Sequence, residues 1–153
     1  MKRHWVQENH SFTKEKGTIR GLHFQHPPYS ETKLVSVSRG KIMDVFVDLR
    51  FRSPTFGEWN SVELSKNNHK LLYIPRGFAH GFCTLTDNCD IHYKVDNLYT
   101  PESEDGIIWD DSNLNISWPV QAPSISHKDS KLPTFNHFVK KYQGIKISGF
   151  GNI

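Results

Sequence analysis

Lys33-Leu34-Val35-Ser36-Val37-Ser38 alternates apolar and polar side chains, Arg39-Gly40-Lys41 has the make-up of a turn, and Ile42-Met43-Asp44-Val45-Phe46-Val47-Asp48-Leu49 follows as a longer run rich in β-formers. Alternation with a period of two is what a strand with one covered face requires, so the stretch predicts two strands with a turn between them. The same reading extends outward. Downstream, Ser53-Pro54-Thr55-Phe56-Gly57 is a loop, Trp59 to Leu64 a strand, Lys66-Asn67-Asn68 a turn, and Leu71 to Ile74 a short apolar strand halted by Pro75. Phe82 to Thr86 and Cys89 to Val95 flank Asp87-Asn88, which predicts a two-residue hairpin. Upstream, Thr18 to Gln25 is a further apolar run with strand-like alternation. Short strands at regular spacing with turn signals between them predict an all-β chain, a sandwich or barrel. Helical signal is weak until Phe135 to Tyr142, where Phe135, Phe138 and Val139 share a face. The glycine-rich end, Gly144 to Ile153, reads as a loose tail or an added edge strand.

A length of 153 residues suits one domain that buries a core without disulfides or a structural metal. The net charge of +3 comes from 19 basic and 16 acidic residues spread along the chain, so a local anion site is expected rather than a nucleic-acid face. Cys83 and Cys89 form no C-x-x-C pair and read as reduced thiols of a cytoplasmic protein. Met1-Lys2-Arg3-His4-Trp5 leads into polar residues, and no apolar run approaches the roughly 20 residues of a membrane span. Neither secretion nor membrane insertion is expected.

Two stretches carry chemistry. Thr18-Ile19-Arg20-Gly21-Leu22-His23-Phe24-Gln25 sets a cation and an imidazole three residues apart beside a glycine. Arg20 and His23 are either a phosphate-holding arginine beside a proton-moving histidine, or a paired arginine and a satisfied core histidine. In Pro75-Arg76-Gly77-Phe78-Ala79-His80-Gly81-Phe82, a proline and two glycines shape a tight connection that presents His80 at the start of the next strand. Its pattern, P-x-G-x-x-H, resembles a signature of cupins, double-sheet barrels in which it delivers a metal ligand or a catalytic side chain to the interior. Metal-binding cupins also carry H-x-H and a glutamate; here His23 and His26 are separated by two residues and followed by Pro27-Pro28. Three ligands cannot be assembled, so no metal is expected.

Further segments join these two: Gln7-Glu8-Asn9-His10-Ser11, Gly17 to Gln25, Lys33-Leu34-Val35, Val45 to Arg50, Ser53 to Gly57, Ile74 to Phe82, Tyr93-Lys94, Ile116-Ser117-Trp118-Pro119 and Ser126-His127-Lys128-Asp129. Taken in register from about residue 6 to 135, they closely resemble the dTDP-4-dehydrorhamnose 3,5-epimerase family, cupin-fold enzymes acting on nucleotide-linked 4-keto-6-deoxy sugars. The resemblance implies a cupin-type double-sheet jelly-roll barrel with a short C-terminal helix. A single domain over residues 1–153 would comprise an epimerase-like barrel over about 6–135 and a C-terminal extension over 136–153. It further implies a homodimer that needs no cofactor and inverts C3, C5 or both of a nucleotide-diphospho-4-keto-6-deoxyhexose, the dTDP sugar first among them.

A C4 ketone acidifies the hydrogens on C3 and C5, so inversion takes a base on one face, a donor on the other and a partner for the enolate oxygen. The resemblance assigns His23 as base, Asp129 as the carboxylate that orients it, Tyr93 as the returning acid, and Lys33 as partner of the oxyanion. His80 is matched to the oxyanion or sugar hydroxyls. Arg20, Gln7, Asn9 and Lys128 match positions that hold the diphosphate and base, and Tyr99 could return to the pocket mouth. Read without it, Tyr93 could be a core tyrosine in line with Ile91 and Val95, Asp129 a turn or capping residue, and Lys33 an exposed edge lysine. Asp44 is either a buried partner of a histidine or solvated. His92 faces away from Tyr93, and His26 stays secondary. Trp59, Trp109 and Trp118 read as core or interface aromatics. The family's N-terminal F-x-D-x-R-G segment, which crosses to the neighbouring subunit, has no match ahead of Gln7, and Leu132 to Ile153 matches no family pattern. Rival readings are a sugar-nucleotide 3,4-ketoisomerase and a non-catalytic sugar-nucleotide-binding cupin.

Overall fold

The computed structural model describes residues 4–148. The strands run β1 Gln7–Thr13, β2 Thr18–Gln25, β3 Lys33–Arg39, β4 Lys41–Asp48, β5 Trp59–Ser65, β6 Leu72–Ile74, β7 Phe78–Thr84, β8 Cys89–Val95, β9 Glu104–Gly106 and β10 Ser124–Ile125, followed by α1 Phe135–Tyr142. Among the described residues they form two sheets. One has the order β1-β8-β3-β6; the other runs β10-β2-β7-β4-β5, with β9 also paired to β2. From β1 to β8 each strand passes to the other sheet from the one before it, except that β4 and β5 pair antiparallel within the larger sheet; this is the double-sheet jelly-roll pattern expected of a cupin-type barrel.

Alternation decides which side chains enter. On β4, Ile42, Asp44 and Phe46 point between the sheets, while Val45 and Val47 point outward under a second layer. Inside, Val35, Val37, Ile42, Leu64, Ile74, Phe82, Cys89 and Ile91 make one apolar cluster. Outside the larger sheet, Leu22, Phe24, Val45, Val47, Leu49 and Ala79 make another with Ile107, Leu114, Phe138 and Ile145. Helix α1 caps that outer layer. Thr134 accepts the His137 N–H, Gln143 closes the helix in the left-handed region, and Phe138 is buried edge-on against Phe24. Trp59 and Trp118 pack against the same layer.

Two sequence expectations change. Asp87-Asn88 is no hairpin turn, because β7 and β8 lie in different sheets; residues 85–88 form a corner between them. Leu85 N–H donates to Lys41 O, and Asn88, in the left-handed region, donates to Lys14 O. The Gly40 turn is a second corner beside it, and a Cβ there would stand 2.6 Å from Cys89 Sγ. The second change concerns β7, which starts at Phe78 rather than Phe82, so His80 sits within the strand and not at its start. Of the glycine-rich end, Ile145 is buried and forms one isolated parallel bridge with Arg50, which pins the chain there without making a further strand; residues 149–153 lie outside the described residues. Among the described residues no helix is long and apolar enough to cross a membrane.

Candidate active site

Three residues apart, Arg20 and His23 should face opposite sides of a regular strand. They face the same interior because the register of β2 against β7 shifts between them. Gly21 makes the shift possible. It has φ +98°, and a Cβ there would meet His80 O at 2.6 Å and Gly81 Cα at 2.8 Å. Beyond the shift His23 pairs directly with His80 across the two strands.

His23 lines a cavity of about 400 Å³ between the sheets, within the range of small-molecule sites. Its Nε2 lies 2.7 Å from Asp129 Oδ1, and Asp129 Oδ2 accepts the Gly21 N–H at 3.1 Å. Asp129 is fully buried at the start of a single 3-10 turn, so it is no solvated turn residue. Burial pushes its carboxyl up, but the His23 hydrogen bond and charge, the Gly21 N–H and the Ser126 hydroxyl outweigh this and hold it below the usual carboxylate range.

The facing sheet supplies Tyr93 from β8, Lys33 from β3, and Gln7 and Asn9 from β1; all line the cavity with His23. Burial, then the charges of Glu31 and Glu104, push the Tyr93 phenol above its ordinary value, so it is a neutral donor at physiological pH. Lys33 lies inside its sheet between β8 and β6 and is buried, with Nζ 3.2 Å from Glu31 Oε1; it is not an edge lysine. A second recess shared by His23, Lys33 and Tyr93 reaches Arg20 and His80. Asp44, fully buried, meets His80 Nε2 at 2.9 and 3.0 Å through its two oxygens, which settles it as a histidine's partner.

At the mouth, Tyr99 lines the cavity. Its hydroxyl donates to Glu104 Oε2 at 2.7 Å and its N–H to Gln7 Oε1 at 3.2 Å. Lys128 is exposed and reaches the cavity through Glu104, with Nζ 2.5 Å from Oε2. Burial raises the Glu104 carboxyl, but Lys128, Tyr99 and the His23 charge leave it lowered. His92 stacks on His10 at 4.4 Å, and His26 bonds Asp105 and packs on Tyr142; neither ring lines the cavity. Sequence reasoning missed Gln25, Glu31 and Glu104. Gln25 follows His23 by two and was findable by alternation; Glu31 and Glu104 carried no motif. An imidazole held by a carboxylate on one wall, a neutral phenol on the other and an ammonium beside it can remove and return a proton next to a carbonyl.

A sequence model of the family described as dTDP-4-dehydrorhamnose 3,5-epimerase matches residues 1–137. The Shigella flexneri protein of that name is 51% identical over 125 residues, covering 82% of this chain and 68% of its own. A Bacillus anthracis dTDP-4-dehydrorhamnose 3,5-epimerase, solved with TDP and PPi bound, superposes with TM-score 0.86 at 49% identity, covering 88% of this chain and 77% of that one. A Legionella pneumophila dTDP-6-deoxy-D-glucose-3,5-epimerase in complex with dTDP-4-keto-L-rhamnose has TM-score 0.88 at 40% identity, with 96% and 77% covered. The matched region holds both sheets and all the cavity residues named above, and the chain belongs to the dTDP-4-dehydrorhamnose 3,5-epimerase family of isomerases.

Proposed function

We propose that this protein epimerises a dTDP-linked 4-keto-6-deoxyhexose at C3, C5 or both, with His23 as base and Tyr93 as acid. The observation that carries the reading is that an imidazole from one sheet and a neutral phenol from the other line one cavity, the imidazole backed by a buried carboxylate. His23 takes the hydrogen next to the C4 ketone, and the electron pair moves onto the C4 oxygen. Asp129 stabilises the resulting imidazolium, and Lys33, with His80, stabilises the enolate. Tyr93 then returns a proton to the opposite face. Arg20, Gln7, Asn9, Lys128 and Tyr99 hold the nucleotide and its phosphates, a guanidinium being suited to gripping phosphate oxygens in a fork. The step balances in protons and electrons without a redox cofactor.

The same reading makes residues 1–153 a single domain with a C-terminal extension over 136–153, working in the cytoplasm, where the free thiols of Cys83 and Cys89 stay reduced. It also makes the chain a homodimer, a state supported by the exposed Phe12, Leu71 and Tyr73 on or beside the smaller sheet. Light scattering at the dimer mass supports that state; a monomer overturns it.

Solvent deuterium exchange with the dTDP-4-keto-6-deoxyglucose substrate tests the chemistry. The epimerase incorporates label at C3 or C5 and yields inverted product. A ketoisomerase would give a 3-keto sugar, and a binding protein would leave the sugar unlabelled. His23→Ala should abolish wash-in, and Tyr93→Phe should keep wash-in while impairing inversion; exchange that survives His23→Ala removes that base.

A further inference from the structure

Glu31 and Glu104 are charged residues of the cavity wall that the mechanism leaves unused, and Glu31 is the one paired with the ammonium of Lys33. Its side chain is 12% exposed and lies in the loop ahead of β3. Oε1 faces Lys33 Nζ, and Oε2 accepts a hydrogen bond from Gln25 Nε2. Gln25 is buried at the end of β2, where the same Nε2 reaches the carbonyls of Tyr29 at 3.0 Å and Leu98 at 3.3 Å, and Oε1 accepts the Thr100 N–H at 2.6 Å. Glu31 is therefore fixed from two sides. A carboxylate withdrawn this far from water is destabilising unless a cation answers it, and Lys33 does so. Its field falls on the phenol that shares the cavity.

The titratable and charged groups that share these cavities with Tyr93 are His23 and Arg20 from β2, Glu31 just ahead of β3 and Lys33 at its start, His80 from β7, Tyr99 from the segment after β8, and Glu104 from β9. Glu104 is engaged at the mouth by Lys128 and Tyr99. Glu31 is the carboxylate held in the wall itself, beside the ammonium.

We infer that Glu31 is a positioning residue for the second half of the reaction, a half-buried carboxylate clamped by Gln25 and Lys33 so that its charge keeps Tyr93 a proton donor. The inference rests on the reading of Tyr93 as acid. In that half the Tyr93 O–H breaks and a C–H bond forms on the enolate. The electron pair on oxygen returns to the C4 carbonyl, and the phenolate is reprotonated from water. A negative charge beside the phenol opposes its ionisation before the sugar needs the proton.

Glu31→Gln keeps the shape and the acceptor for Gln25 and removes the charge. Two readouts follow. The phenolate absorbance of Tyr93, identified as the component lost in Tyr93→Phe, should titrate at lower pH than in the wild type. The ratio of inversion to deuterium wash-in should fall off at correspondingly lower pH. Glu31→Asp, which keeps the charge on a shorter arm, should bring both back toward wild type. A titration that does not move, a titration that moves without the inversion ratio following, or an aspartate variant as displaced as the glutamine one overturns the inference. A wild-type protein that inverts no sugar overturns the epimerase reading and this inference with it, whereas an active wild type with an unmoved Glu31→Gln profile overturns the inference alone.

Discussion

Val35, Val37, Ile42, Leu64 and Ile91 fill one part of the space between the sheets with apolar side chains, while His23, Lys33, Tyr93 and Glu31 line another, and strand by strand the two sets are neighbours. Strand β3 contributes Lys33, then Val35 and Val37; β8 contributes Ile91, then Tyr93. Polar groups at this depth are tolerated because they come in pairs: His23 with Asp129, His80 with Asp44, and Lys33 with Glu31. The apolar part supplies the stability that lets the polar part be arranged for chemistry rather than for folding.

Removing one partner from the polar part should cost activity far more than fold. Asp129→Asn leaves shape and packing in place but deprives the His23 imidazolium of its counter-charge. Turnover should fall by about 10²–10⁴-fold, with thermal unfolding displaced much less. A variant that turns over near the wild-type rate would break the contrast at its strongest point. The apolar part should behave the other way. Leu64 is fully buried and lines neither the cavity nor its recess, so Leu64→Ala should lower unfolding stability by about 2–5 kcal/mol in urea titration while turnover per folded molecule is kept. An equal loss of turnover would show that the two parts are not separable.

The apolar part was also the more legible in sequence. Alternation marks covered faces directly, so β3, β4, β5 and β8 were found within a residue or so of their ends. The connection at Asp87-Asn88 misled because a short polar turn looks alike whether the flanking strands pair or separate into two sheets, a difference decided by distant packing. The polar part depended on events that alternation does not encode. Arg20 and His23 reach one cavity through a register shift at Gly21, and Asp129 meets His23 across 106 residues of chain. Their roles were suggested by the resemblance and not by spacing. Glu31 and Glu104 became visible only once the loop before β3 and the short β9 were set against the cavity.

A third carboxylate sharpens the contrast, because it is as firmly held as Asp129 yet has nothing to do with the cavity. Asp48, buried at the end of β4, accepts from Arg50 Nε at 2.9 Å and Nη2 at 2.6 Å, from the Ser53 hydroxyl at 2.5 Å and from the Thr55 hydroxyl at 2.7 Å, tying down the Ser53 to Gly57 loop. Burial pushes its carboxyl up, but the Arg50, Ser53 and Thr55 hydrogen bonds and the Arg50 N–H outweigh it and bring the pKa from 3.8 down to about 2. Because the folded value is the lower one, the stabilisation is complete above the unfolded value and is lost as pH falls through the folded one. That difference corresponds to about 2 kcal/mol. In urea titrations, stability should therefore decline for this group as pH falls from 3.8 toward 2, and Asp48→Asn should remove that part of the decline. At neutral pH, deuterium wash-in by Asp48→Asn should match the wild type, because Asp48 serves a loop and not the sugar; a loss of wash-in comparable to that of Asp129→Asn would mean that a carboxylate remote from the cavity also governs the chemistry.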